Sequence, residues 1–255
     1  INSAYFSKLG DDELSDKMLE FMSDNRIDTT HVKKVSGSTI GLYLISLVNG
    51  ERTFSYWRNN SAATLLGQNI NDIENALKKQ DMIYFSGITL AILDTSSRNN
   101  LFACLKLARR AGKKIAFDPN LRPRLWSDKK EMCDVIMAGA NLSNIILPSF
   151  EDEATWFSDA NPKATLKRYQ KVGAEIVVVK NAGEPVSFIS NQGIGTHPVQ
   201  SIETVIDSTA AGDSFNSEIL VGILRNIPLS EAISNGAKLA KKVIMGHGAL
   251  IKSDI

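Results

Sequence analysis

The sequence predicts an α/β fold: a mostly parallel, doubly wound sheet flanked by helices, with a small β segment ahead of it. Three observations predict it. From residue 73 onward, short apolar runs alternate with helix-period runs, the pattern of strand–helix–strand units joined by right-handed crossovers. Three of the strand runs are nearly continuous in apolar residues, as central strands covered on both faces are. The 255 residues are 43% apolar and 22% charged, ordinary for a globular chain and too apolar for disorder.

Each element follows in order. Residues 11–25 carry Leu14, Met18, Leu19 and Met22 at helical spacing, with Asp11 or Asp12 available as the cap. The stretches 39–48 (TIGLYLISLV) and 52–57 (RTFSYW) are β-rich and flank Asn49-Gly50, the strongest short-range hairpin signal. Helix 73–79 leads into strand 82–86, helix 96–110 into strand 113–118, and helix 128–138 into strand 144–148. Helices near 151–158 and 163–172 lead into strand 175–180. A hairpin covers 185–198. VIDSTAAGDSF (205–215) then opens a helix, and a last helix runs from about Ser230 to Met245.

Composition excludes several classes. Lys and Arg total 29 against 28 for Asp and Glu, a formal charge of +1, so no electrostatic footprint points to nucleic acid or an anionic membrane. The longest mostly apolar stretch, residues 82–93, falls well short of the roughly 20 residues of a spanning helix. Cys104 and Cys133 have neither metal-ligand spacing nor a disulfide framework, which fits the cytoplasm. His31, His197 and His247 are not paired with Cys or His at metal spacing. The chain opens on Ile1 with no basic segment or cleavage motif, unlike a signal peptide.

In a sheet of this kind ligands bind beyond the carboxyl ends of the strands. The richest such segment is Asp207 to Phe215, DSTAAGDSF. Ala210, Ala211 and Gly212 are small, so a ligand can approach the backbone. A helix starts here, and its first amides and dipole form an anion site. Asp213 is poorly suited to binding a phosphate and well suited to taking a proton from a hydroxyl that attacks one. Positioning, charge stabilisation and a base are what phosphoryl transfer requires. A bare small-residue turn before a helix is mostly just a cap, so this motif needs corroboration.

The segment resembles the carboxy-terminal signature of the ribokinase-like (PfkB) carbohydrate kinases, D-T-x-A/G-A-G-D-S/T-F, with Ser208 where Thr is commoner. Further stretches are similar to the 2-keto-3-deoxygluconate kinases of that family: LGDDELSDKML (9–19), GLY (41–43), RTFSYWRNNSAA (52–63), YFSGITLAIL (84–93) and FDPNLRPRLWS (117–127). The resemblance implies a ribokinase-like fold as one domain over 1–255, with a β lid at about 39–57. Family members carry a further segment before LGDD, which supplies a first strand, part of the lid and a Gly-rich substrate motif; the chain therefore reads as lacking that portion. The implied reaction transfers the ATP γ-phosphoryl group, with Mg²⁺, to the terminal hydroxyl of a 2-keto-3-deoxy sugar acid. The resemblance makes Asp213 the catalytic base and the Ala210, Ala211 and Gly212 amides the anion hole. It assigns Tyr43, Tyr56 and Arg58 to the substrate and Arg122 to the substrate or the transferring phosphate, and it implies a homodimer through the lid.

The chemistry of the acid supports part of this. A planar carboxylate suits an Arg fork, and Arg52, Arg58, Arg122 and Arg124 concentrate in two of the matching stretches. The nucleotide side follows the family less closely. Where many members have N-x-x-E, this chain has Ser149 and Asp152, the latter a candidate for Mg²⁺ through water. Where they have K-x-G-A, it has Lys180-Asn181-Ala182-Gly183, with the glycine displaced by one. Ser149, Lys180, Gly183, Asn235 and Gly248 are the nucleotide-binding candidates. Two other readings compete: a fructose or ribose kinase of the same fold, and a non-catalytic sugar-acid or nucleotide-binding homologue.

Overall fold

The computed structural model describes residues 1–48, 51–58, 60–200 and 205–251. In chain order the elements are β1 (Ser3–Ala4), β2 (Ser7–Leu9), α1 (Glu13–Asp24), β3 (Ile27–Asp28), β4 (Val32–Lys34), β5 (Leu42–Val48), β6 (Glu51–Trp57), α2 (Ile70–Lys78), β7 (Met82–Ser86), α3 (Gly87–Ile92), α4 (Thr95–Arg110), β8 (Lys114–Asp118), α5 (Lys129–Asn141), β9 (Ile145–Ile146), α6 (Phe150–Phe157), α7 (Pro162–Lys171), β10 (Ile176–Val179), β11 (Val186–Ser190), β12 (Gly193–His197), α8 (Ala211–Leu224) and α9 (Leu229–Ile244). They form two compact units: Ile1–Ile83 with Thr89–Lys113, and Tyr84–Ile88 with Lys114–Ile255.

The first unit holds the β5–β6 hairpin, antiparallel in the register Leu42↔Trp57, Tyr43↔Tyr56 and Leu44↔Ser55. The predicted Asn49-Gly50 turn lies outside the described residues. The same unit also holds two short parallel pairs that the sequence did not announce, β1 with β3 and β2 with β4. Helix starts are set by acids and amides at the cap. The Asp12 carboxylate accepts from the Ser15 amide at 3.0 Å, and that of Asp94 from the Ser97 amide at 2.7 Å; each cap stabilises its helix by about 1 kcal/mol.

The second unit is built on a six-stranded sheet in the order β12-β11-β10-β9-β8-β7. Strands β8, β9 and β10 run parallel, and β11 and β12 turn back antiparallel at the far edge. The parallel strands are mostly apolar and buried, with exposed Lys114 at the start of β8 and Asp118 at its end as the charged exceptions: Ile115, Ala116, Phe117, Ile146, Val177, Val178 and Val179 have no exposed surface. Phe85 of β7 stacks on Phe117 of β8 with centroids 4.6 Å apart. Predicted strand 82–86 matches β7 to the residue, whereas 144–148 shortens to Ile145–Ile146, with Pro148, which has no amide to donate, interrupting the ladder at the carboxyl end. The turn after β7 is a close approach. A Cβ on Gly87 would lie 1.8 Å from the Pro119 carbonyl oxygen, so only glycine lets these two strand ends pass.

Candidate active site

The carboxyl ends of β8, β9 and β10 converge on one buried polar cluster in the second unit. Asp118, the last residue of β8, is 4% exposed. Its Oδ1 accepts from the Asn120 amide at 3.2 Å, shaping a turn in which Asn120 takes φ 35°. The residue after β10 is Lys180, whose ammonium donates to the Leu147 carbonyl at 2.6 Å, Asn216 Oδ1 at 2.9 Å and Asp118 Oδ2 at 3.4 Å. Asn216, on α8, donates in turn to Asp118 Oδ2 at 2.8 Å and to the Tyr84 hydroxyl at 3.4 Å. Asn216 and Tyr84 escaped the site reading of the sequence, whereas Asp118 falls among the strand-end residues where ligands are expected, with no role of its own assigned. The position of Asp118 after a strand was the available signal; Asn216 and Tyr84 carried none.

The first turn of α8 sits against this cluster. Asp207 organises its approach: Oδ1 accepts from the Thr209 amide at 2.9 Å and hydroxyl at 2.6 Å, and Oδ2 accepts from the Gly248 amide at 3.1 Å. Ala210 precedes the helix at φ 62°, in the left-handed region, a conformation that costs a non-glycine residue about 1–2 kcal/mol. The Ala211 amide makes a long bond to the Ser208 carbonyl at 3.3 Å. Beside it, a Cβ on Gly212 would meet nothing within 4 Å, so the backbone is open to an approaching group. Asp213 follows, exposed, in the first turn. Protein around its carboxyl displaces water, and Asp118 adds like charge, so its pKa is raised; Lys180 and Arg122 pull it the other way.

The remaining predicted residues fall into three groups. Arg122 is exposed in the turn after β8, donating to the Leu121 carbonyl at 2.9 Å. Its charge acts on both Asp213 and Asp152. Asp152, half-buried on α6, has its carboxyl pKa raised, chiefly by burial. Ser149 caps α6 without a side-chain bond and bridges to Lys180 through the backbone. Gly183 is exposed in the Asn181–Glu184 turn, where it is Ala182, not Gly183, that takes a positive φ of 47°. Asn235 is half-buried on α9, and Gly248, at φ 82°, binds Asp207 through its amide. In the first unit Tyr43 and Tyr56 stand opposite each other, rings 6.2 Å apart, and the Arg58 guanidinium lies over both at 5.1 and 4.9 Å. Among the described residues no cluster of three or more His, Cys, Asp or Glu could hold a metal ion, and no helix is long and apolar enough to cross a membrane.

Residues 1–255 match the pfkB family carbohydrate kinases over their whole length. The chain belongs to the pfkB family. Curated relatives agree. It is 38% identical over 253 residues to a protein of Haemophilus influenzae named 2-dehydro-3-deoxygluconokinase, covering 97% of this chain and 80% of that one. It is 34% identical to the Escherichia coli K12 protein of the same name, covering 97% and 82%. Among solved structures, a PfkB protein from Polaromonas sp. JS666 superposes with a TM-score of 0.86 at 27% identity, over 96% of this chain and 81% of that one. The predicted α/β, ribokinase-like architecture is thereby borne out.

Proposed function

We propose that the protein transfers the γ-phosphoryl group of ATP to the terminal hydroxyl of 2-keto-3-deoxygluconate, giving 2-keto-3-deoxy-6-phosphogluconate and ADP. The observation that carries the reading is Asp213, open in the first turn of α8, in a chain alignable almost end to end with enzymes named for this substrate. Asp213 takes the hydroxyl proton; the oxygen attacks the γ-phosphorus; the bond to the β–γ bridging oxygen breaks and ADP leaves. The amides at Ala210 to Asp213 and the Arg122 guanidinium stabilise charge on the transferring group. Arg58, over the rings of Tyr43 and Tyr56, offers its N–H groups for a two-point bond to the carboxylate of the acid.

On the nucleotide side, Ser149, Gly183, Asn235 and Gly248 are proposed contacts. Mg²⁺ neutralises polyphosphate charge when bound, and Asp152 would hold it through water, in keeping with that ion's preference for water and phosphate oxygens over an all-protein cage. Lys180 has three protein acceptors already, which argues against a phosphate contact. The β5–β6 hairpin is proposed as the lid and, with Leu42, Leu44 and Trp57 exposed on one face at 42, 54 and 59%, as the surface that pairs two copies. The thiols of Cys104 and Cys133, free in this structure, fit a cytoplasmic location.

The test is ADP release by the purified full-length gene product with ATP and Mg²⁺, offered 2-keto-3-deoxygluconate, gluconate, fructose and ribose side by side. Turnover confined to the keto-deoxy acid is expected. Turnover on fructose or ribose would keep the role of Asp213 and discard that of Arg58. No turnover on any of them would favour the binding homologue.

A further inference from the structure

Lys180 carries a buried charge for which the phosphoryl-transfer chemistry has no direct use. Its side chain is 12% exposed and that of its partner Asp118 is 6% exposed. An ammonium has three protons, and here they meet Leu147 O, Asn216 Oδ1 and Asp118 Oδ2. A buried ion pair stabilises a fold little, or less than apolar residues of the same volume would. What it does supply is geometry. Lys180, Asn216 and Asp118 close a ring, because Asn216 donates back to Asp118 Oδ2 at 2.8 Å. That ring ties the ends of β8, β9 and β10 to α8.

Asn216 lies three residues after Asp213, so the two project from the same side of the helix. Fixing Asn216 fixes the rotation of α8 about its axis. A side-chain group about 6 Å from that axis moves about 2 Å for a 20° turn, and a misplacement of about 1 Å can cost a hundredfold in rate. The ring also sets the local field. The charges acting on the Asp213 carboxyl are Asp118 at the end of β8, Lys180 after β10 and Arg122 in the turn after β8. The Tyr84 hydroxyl of β7 feels both Asp118 and Asp213, and Asp152 of α6 feels Arg122, Asp118 and Lys180.

We propose that Lys180 is a positioning residue: through Asn216 and Asp118 it locks the rotation of the first turn of α8 and fixes the charges set beside it. The inference rests on Asp213 being the base.

The experiment measures steady-state kinetics of the full-length protein from pH 5 to 9, with ATP, Mg²⁺ and 2-keto-3-deoxygluconate. Lys180→Met should lower kcat about tenfold or more, leave the KM for ATP within about threefold, and move the acid limb of the kcat profile toward neutrality. Asn216→Ala should lower kcat with the acid limb unmoved. Lys180→Met leaves Asp118 buried without its cation and can fail to fold. The pair Lys180→Met with Asp118→Asn removes both charges, and should keep kcat low while returning the limb near its wild-type position. Three results would overturn the inference. One is a KM for ATP raised about tenfold with kcat retained, the mark of a nucleotide ligand. Another is a lowered Tm with kcat per folded enzyme unchanged, the mark of a plain brace. The third is an acid limb unmoved in Lys180→Met. Full activity in Asp213→Asn would instead remove the reading beneath it.

Discussion

Glu153 makes the stability of this protein depend on pH in an unusual direction. It sits on α6 with no exposed surface. The Tyr169 hydroxyl bonds both its oxygens at 3.0 Å, and Arg168 Nη2 donates to Oε2 at 2.5 Å. Arg168 is shared with Asp159 at 2.6 Å and packs over the Phe157 ring at 3.9 Å. Burial outweighs these partners and lifts the Glu153 carboxyl from 4.5 to about 7. The folded state therefore holds this proton more tightly than the unfolded chain does. The stabilisation is fully present below pH 4.5 and is lost as pH rises through about 7. With those two values the loss between pH 5 and pH 8 comes to about 2.5 kcal/mol. Glu153→Gln cannot titrate. Its stability therefore lacks this pH dependence, and Asp159 keeps the Arg168 guanidinium partnered. Urea unfolding of both proteins at pH 5, 6, 7 and 8 reads the effect. The wild type should weaken relative to Glu153→Gln by about 2.5 kcal/mol across that range. A difference constant to within about 0.5 kcal/mol would refute the reasoning.

Two further outcomes follow from single contacts. Gly87→Ala drives a methyl into the Pro119 carbonyl and Ile136 Cδ1; at about 3 kcal/mol of overpacking, Tm should fall by roughly 6–12 °C in a thermal scan, and a fall under about 2 °C would contradict the close approach. Arg58→Ala should raise the KM for the keto-deoxy acid about a hundredfold, the equivalent of a charge-assisted bond of about 2–3 kcal/mol, and an unchanged KM would remove the fork from the carboxylate.

Much of the second unit was legible because its signals are local. Apolar runs flanked by helix-period stretches gave β7, β8 and β10 nearly to the residue, and the strand-then-helix order gave the parallel core. The pairs β1–β3 and β2–β4 were not legible: two or three residues show no alternation, and their partners lie some two dozen positions away. Helix α3 was missed because Gly87-Ile88-Thr89 reads as a strand ending in a turn. At the site, DSTAAGDSF marked the start of α8, and the base role of Asp213 rested on that segment's chemistry together with the family resemblance. The Lys180–Asp118–Asn216 ring was not legible, since its members are 62 and 98 positions apart and only the topology gathers them. The displaced glycine at Gly183 has a structural counterpart: Ala182 takes the left-handed conformation itself, so the turn bends where the family's glycine stands while the sequence hides it.

Asp213 is proposed as the base for phosphoryl transfer to a keto-deoxy acid. The most direct test compares wild type and Asp213→Asn in ADP release with 2-keto-3-deoxygluconate, alongside acid binding by calorimetry. A loss of at least about a hundredfold in kcat, with affinity for the acid nearly unchanged, is the expected result. A loss below about tenfold would contradict the account, because a positioned general base is worth more than that.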